Sequence, residues 1–368
     1  MSALQVCSII KKAFLNVRRE TEIILSPMAD GGEGTVDTLV ESLNGRYIEA
    51  LVKGPSGKKI MAKFGLIDSG KTAVIEMSSA SGLWLLKPND RNPMLTTTYG
   101  TGQLIKKAIE MGVKKVIIGI GGSATNDGGM GAACAAGIKF FDKNENILEG
   151  CGKNLLSLCR IDASGIMDRI KETSVLVACD VDNPLYGKRG AAYVYAPQKG
   201  ADENMVKLLD EGLKNLSGII KRDLKKDISD LKGGGAAGGL GAGLSAFFGA
   251  GLFPGTDIII QATNLEQKIK DADLIITGEG AMDNQTFYGK SAYGVAVLAK
   301  KYNIPVITIN GSVNIDYNSI GKDKLSLFDG NFDIIQKDMN IEYAIKNGEK
   351  LLFSASSEIA RFYFGILS

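Results

Sequence analysis

Histidine is missing altogether from the 368-residue sequence. Its absence excludes Ser-His-Asp and Cys-His catalysis, His-ligated zinc and a histidine general base. Acid–base chemistry must then come from Asp, Glu, Lys, Tyr or Cys, and any metal is expected to be a hard cation on oxygen ligands. Cysteine is scarce: Cys7, Cys134, Cys151, Cys159 and Cys179 are odd in number and form no C-x-x-C pair. Reduced thiols in a cytosolic protein are the expectation. The chain also lacks charge of one sign, since a net charge of +2 gives no bulk attraction to nucleic acid or acidic membrane. No apolar run approaches the ~20 residues needed to cross a bilayer.

What the chain has in excess is glycine, 46 residues with no period, which rules out collagen-like and low-complexity readings. Its length exceeds one ordinary core and calls for two domains. The central stretch is residues 116–131, VIIGIGGSATNDGGMG. A short apolar strand runs into a glycine turn, and a small-residue helix from Met130 to Gly137 follows. That order aims backbone N–H groups and a helix N-terminus at an anion, usually a phosphate. Gly119, Gly121, Gly122, Ser123, Thr125 and Asn126 are the candidate phosphate-binding residues, with Asp127 beside them.

From the start, a helix is expected with Val6, Ile9, Ile10, Ala13, Phe14 and Val17 on one face after a Ser2 cap. A strand at Glu22–Leu25 leads into a second glycine turn carrying Asp30 and Glu33, then a helix to about Leu43. Short strands from Tyr47 to Met77 suggest a domain boundary near residue 46. Thr101 lies where a polar turn enters a helix over about Gln103–Met111. A strand over Ser174–Ala178 ends in Cys179-Asp180-Val181-Asp182, and Asp202 to about Asp223 is a helix. Residues 233–243, with Gly234, Gly235 and Gly238, open another helix, and ligand binding and close packing are both open explanations for its glycines. Alternation then resumes: helix Leu265–Ala272, strand Leu274–Thr277, helix Ser291–Tyr302, strand Pro305–Asn310 and a last helix from about Ile341 to Phe364. The expected architecture is α/β, with one parallel-sheet domain built from both chain ends (1–45 plus 255–368) and a second α/β domain (46–254) inserted in it.

Three chemical readings compete. Gly119-Ile120-Gly121-Gly122-Ser123-Ala124 formally matches a dinucleotide fingerprint with Asp142 as its ribose acid, which supports an NAD(P)-dependent oxidoreductase. The polar run Thr125-Asn126-Asp127-Gly128-Gly129 stands where that fingerprint's helix should already run. Residues 277–291 end on Gly-Lys-Ser before a helix but lack the Walker A glycine. Lys290 is nonetheless a phosphate ligand candidate, with Asp283 and Glu279 as metal or base candidates. Asp180 and Asp182 leave a strand's C-terminal end, on the edge where α/β ligands bind. Phosphoryl transfer needs positioning, cationic stabilisation and one carboxylate, all within reach of a chain without histidine.

At seven blocks the sequence resembles the bacterial glycerate kinase family: ADGGEGT (29–35), TTTYGTGQLI (96–105), IGIGGSATNDGGMG (118–131), ACDVDNPLYG (178–187), PQKGA (197–201), GGGAAGGLGAGL (233–244) and ITGEGAMDNQTFYGK (276–290). The resemblance implies ATP- and Mg²⁺-dependent phosphorylation of D-glycerate, typically to 2-phosphoglycerate. It further implies two α/β domains, one Rossmann- or flavodoxin-like, with the active site in the cleft between them. The 119–129 and 233–243 turns would hold phosphates or the glycerate carboxylate, and Lys290 would stabilise the transferring charge. Asp180, Asp283 or Asp127 would orient the glycerate hydroxyl or hold the metal, Asp180 and Asp283 being the metal candidates. Asp30, Glu33, Thr101 and Glu279 would line the cleft. Family members open with a strand and a Pro-Asp-Ser-aromatic-Lys segment, whereas this sequence starts at the helix after it. A start codon set too late is the expectation, with an inactive remnant as the alternative.

Overall fold

The structure is a computed structural model and describes residues 1–29, 34–335 and 339–365. It divides into two compact units, one of residues 31–258 and one of residues 1–30 with 259–368.

The first unit contains β1 (Arg46–Lys53), β2 (Lys59–Ile67), β3 (Thr72–Glu76), β4 (Lys115–Gly119), β5 (Lys139–Phe141), β6 (Arg160–Asp162), β7 (Ser174–Ala178) and β8 (Gly251–Phe253). Six of them form a sheet in the order β1-β2-β3-β4-β7-β8. β1, β2 and β3 are antiparallel, whereas β3, β4, β7 and β8 run parallel. Position explains composition. β4 lies between two neighbours and is buried from Val116 to Gly119, while edge strand β1 is largely exposed. Helix Tyr99–Glu110 buries Leu104, Ile105, Ala108 and Ile109 on one face. Helix Glu203–Leu224 starts on the Asp202 carboxylate, which accepts from the Met205 amide at 2.8 Å, and buries Val206, Leu209, Leu213, Leu216 and Ile220 at three- and four-residue spacing. β5 and β6 stand apart as a two-stranded antiparallel ladder.

The second unit contains β9 (Ile275–Thr277), β10 (Ala281–Asp283), β11 (Val306–Asn310), β12 (Ser312–Asn314) and β13 (Gly330–Asp333). β13-β11-β9 is a parallel sheet, and β10 pairs with β12, also parallel. The opening helix, Ala3–Val17, has a reciprocal cap: Ser2 Oγ accepts from the Gln5 amide, and Gln5 Oε1 accepts from the Ser2 amide. Phe14 packs with Ile309, Leu352, Ile359 and Ala360.

Two sequence expectations need correction here. No strand forms at Glu22–Leu25, because a four-residue run becomes a strand only with a ladder partner. Ile23 instead joins the Phe14 cluster while Ile24 is 57% exposed. The last helix is two, Ile341–Lys346 and Gly348–Tyr363, interrupted where Asn347 takes φ −108° and ψ 14° before Gly348. Among the described residues, no helix is long and apolar enough to cross a membrane.

Candidate functional site

In the unit of residues 31–258, the parallel strands bring their C-terminal ends to one edge. The Met77 amide donates to the Gly119 carbonyl at 2.9 Å, and the Cys179 amide to that of Phe253 at 2.9 Å. Beyond β4 the chain exposes Gly121 and Gly122, the latter at φ +70°. It then turns inward: Ser123 bridges Gly82, and the Ala124 amide donates to the Ser81 carbonyl at 2.9 Å. Thr101 is buried, its hydroxyl donating to Ser81 Oγ at 2.8 Å. Asp180 Oδ1 accepts from the Gly255 amide at 2.8 Å, where helix Gly255–Ala262 begins.

Asp127 is wholly buried, and its carboxylate accepts from the Thr98 amide (2.8 Å), the Thr98 hydroxyl (2.9 Å), the Gly129 amide (3.0 Å) and the Gly131 amide (3.2 Å). Burial pushes its pKa up while these donors oppose the rise. The carboxylate thus ties the turn to the start of helix Tyr99–Glu110. Asn126 is also wholly buried, and both its side-chain polar atoms lack a hydrogen-bond partner among the described residues, as does Thr125 Oγ1.

The glycines of the 233–243 stretch lie against protein backbone. A Cβ on Gly235 would lie 2.2 Å from the Pro184 carbonyl oxygen, one on Gly238 2.0 Å from that of Thr125, and one on Gly234 2.9 Å from that of Leu231. All three are buried. The bareness of Gly238 lets the start of helix Ala236–Phe248 lie directly on the Thr125–Asn126 backbone, and the Gly128 amide donates to the Gly238 carbonyl at 3.1 Å. Close packing accounts for the absence of a Cβ at these three positions.

The dinucleotide reading fails on topology. In such a fold the strand after the glycine turn's helix joins the parallel sheet. Here that strand is β5, which joins β6 in a separate two-stranded sheet, and Asp142 spends its carboxylate closing a turn onto Asn144 and Asn146.

The second unit gathers Glu279, Asp283 and Lys290. β9 runs into Gly278, where a Cβ would lie 1.9 Å from the Ile309 carbonyl oxygen, so only glycine passes β11 there. The Glu279 amide donates to Asn310 Oδ1 at 3.0 Å, and the Thr286 hydroxyl to Glu279 Oε2 at 3.0 Å. Asp283 ends β10 and caps the short turn Asn284–Tyr288, accepting from the Gln285 amide at 2.8 Å. Lys290 Nζ lies 3.6 Å from Glu279 Oε2 and 3.4 Å from Asp283 Oδ1, immediately before helix Ser291–Lys300. Burial pushes Glu279 up against the opposing pull of Thr286 and Lys290. Burial acts upward on Asp283 too, but the Gln285 amide and Lys290 outweigh it and leave it low. Two neighbouring carboxyls driven apart in this way suit separate proton-handling and charge-holding roles.

Asp30 and Glu33 lie outside the described residues. Sequence reasoning passed over Thr286, Asn310 and, above all, Lys199. Lys199 is 1% exposed, its ammonium donating to Ser123 Oγ at 2.6 Å and to the Thr125 carbonyl at 2.7 Å. Only the block PQKGA could have flagged it, since lysine is ordinarily a surface residue.

Burial pulls Lys199 down from its ordinary 10.5 to about 7, against the attraction of Asp127. Between those values the unfolded chain binds more protons than the folded one, so this residue makes stability rise with pH across that window. Below about pH 7 the folded state bears the full cost of burying the charge. Lys199→Met should remove that slope. Urea midpoints compared from pH 7 to 10 check it, and parallel curves for wild type and variant would contradict it.

An α/β protein with a glycine turn at a parallel-sheet edge, and a Lys–carboxylate cluster at a helix start, falls in the class of phosphate-handling enzymes. The sequence profile described as the glycerate kinase family matches residues 1–364. The chain is 47% identical over 361 residues to a glycerate kinase of Halalkalibacterium halodurans, covering 98% of this chain and 94% of that one. It is 43% identical over 360 residues to the glycerate 2-kinase of Escherichia coli K12, with 98% and 94% covered. A crystal structure of a glycerate kinase 2 candidate from Salmonella typhimurium LT2 superposes with TM-score 0.90 at 42% identity, covering 99% of this chain and 95% of that one. The chain belongs to the glycerate kinase family, and membership implies ATP as phosphoryl donor.

Proposed function

We propose that this protein transfers the terminal phosphoryl group of ATP to D-glycerate, yielding 2-phosphoglycerate, with Mg²⁺ as the neutralising cation and in the cytoplasm. The observation that carries the reading is the Glu279–Asp283–Lys290 cluster, set within a match to the glycerate kinase family over residues 1–364.

The donor set suits a hard cation. Asp283 and Glu279 supply carboxylate oxygens, and Glu279 Oε1 is buried without a hydrogen bond of normal geometry. No three His, Cys, Asp or Glu residues gather among the described residues. Mg²⁺ commonly needs only one or two carboxylates, because phosphates and water complete its shell. Asp283 would hold it, with Asp180 a separate candidate; bound there, Mg²⁺ would offset phosphate charge.

The remaining work falls to the chain's own groups. Lys290 offers an ammonium to the oxygens of the moving phosphoryl group. Glu279, raised by burial, is suited to accept the proton of the attacking glycerate hydroxyl, while Asp283 stays ionised. The exposed Gly121–Gly122 backbone and Ser123 receive an anionic group. We assign Asp127 to holding that turn rather than to proton transfer.

The test is turnover of ATP and D-glycerate, with the product identified by phosphorus NMR. A 2-phosphoglycerate signal is expected, and Asp283→Asn should reduce kcat/KM about a hundredfold. Absence of any phosphoglycerate would end the reading, and unchanged kcat/KM in Asp283→Asn would remove that residue from it.

A further inference from the structure

We propose that Lys199 is a positioning residue for an oxyanion, a carboxylate or a phosphate, received at the Gly121–Ser123 turn. It acts through Ser123, and it rests on the kinase reading only for the choice of D-glycerate and ATP as probes.

Lys199 ends the short turn Pro197–Lys199, far in sequence from the residues it touches. Both of its hydrogen bonds go to neutral oxygens, Ser123 Oγ at 2.6 Å and the Thr125 carbonyl at 2.7 Å. A buried ammonium on neutral acceptors carries a desolvation cost that core packing alone does not require. The charge that attracts it, the Asp127 carboxylate, already has four donors. A hydroxyl that accepts from an ammonium keeps its own proton for donation elsewhere. Ser123 is therefore set as a donor, 8% exposed, next to the exposed backbone of Gly121 and Gly122. The same turn bears the wholly buried Asn126 amide and the Thr125 hydroxyl, none of whose polar atoms is hydrogen-bonded among the described residues. Buried polar atoms are normally satisfied, so their concentration here independently marks a place that takes a polar ligand.

Calorimetric affinities for D-glycerate and for ATP, measured separately at pH 6 where Lys199 is charged, test the inference on wild type, Ser123→Ala, Ser123→Thr, Lys199→Met and the Ser123→Ala/Lys199→Met double variant. Ser123→Ala and Lys199→Met should each weaken one ligand about tenfold or more and leave the other unchanged. A shift in the glycerate arm identifies a carboxylate, and one in the ATP arm a phosphate. The double variant should lose no more than the worse single, because Lys199 works through Ser123, and Ser123→Thr should restore binding. Losses that multiply, or Ser123→Ala binding both ligands as wild type does, overturn the inference even if Lys199→Met fails to fold. Wild type that binds both ligands with the expected variant pattern yet yields no phosphoglycerate would overturn the kinase reading alone. Wild type that binds neither ligand overturns both.

Discussion

Lys290→Met should lower kcat/KM for ATP-dependent phosphorylation of glycerate about a thousandfold, or ~4 kcal/mol in the barrier, with a melting point within a few degrees of wild type. The two effects separate because Lys290 does different work in the two states compared. In folding it joins a half-exposed ion-pair group, with side-chain exposures of 36% for Lys290 and 41% for Asp283. Such pairs contribute under about 1 kcal/mol. In the reaction, the ammonium is the one cation within 4.0 Å of either Glu279 or Asp283 among the described residues. Its removal takes that charge away from both carboxylates and raises Glu279 further, since Lys290 is one of the groups holding its pKa down. Steady-state kinetics beside thermal melts make the comparison. Activity within threefold of wild type would exclude Lys290 from transition-state stabilisation, and a collapse in melting point would make its role structural.

Gly238→Ala should destabilise the protein by about 4 kcal/mol or prevent folding. Gly238 has φ +70°, and a Cβ there would lie 2.0 Å from the Thr125 carbonyl oxygen and 2.7 Å from the Asn126 Cα. Backbone cannot swing aside as a flexible side chain does, so the 125–129 turn would have to move. Gly249→Ala supplies the control. Gly249 ends the same helix at φ +67° with nothing within 4 Å of an added Cβ. Its substitution should cost only the left-handed penalty, about 1–2 kcal/mol. Urea denaturation of both variants isolates the collision as their difference. Equal losses would show that the close approach of the two glycine segments contributes nothing.

Local signals set much of the secondary structure. The strand expected at 174–178 forms as β7 over Ser174–Ala178, because a β-rich run bounded by turn residues needs only a neighbour of the same kind. The helix expected over Asp202–Asp223 spans Glu203–Leu224, since its periodicity and Asp202 cap are contained within the segment. The kinase assignment was legible for a similar reason: long motif blocks in order are a property of sequence alone. Glu279, Asp283 and Lys290 were legible as a group because one fifteen-residue motif carries all three.

What sequence left undecided are contacts between distant segments. That the glycines at 233–243 pack closely on backbone depended on where Thr125 and Pro184 lie. The Glu22–Leu25 run depended on a ladder partner that its own residues cannot supply. Lys199 looked like one of many lysines, and only the fold places it under Ser123, 76 residues away. Periodicity, caps and motif order act over a few covalently linked residues, so the sequence alone determined most of the elements and the family. Burial, steric exclusion and ion solvation depend on what surrounds a group in space, and for these the tertiary structure decided.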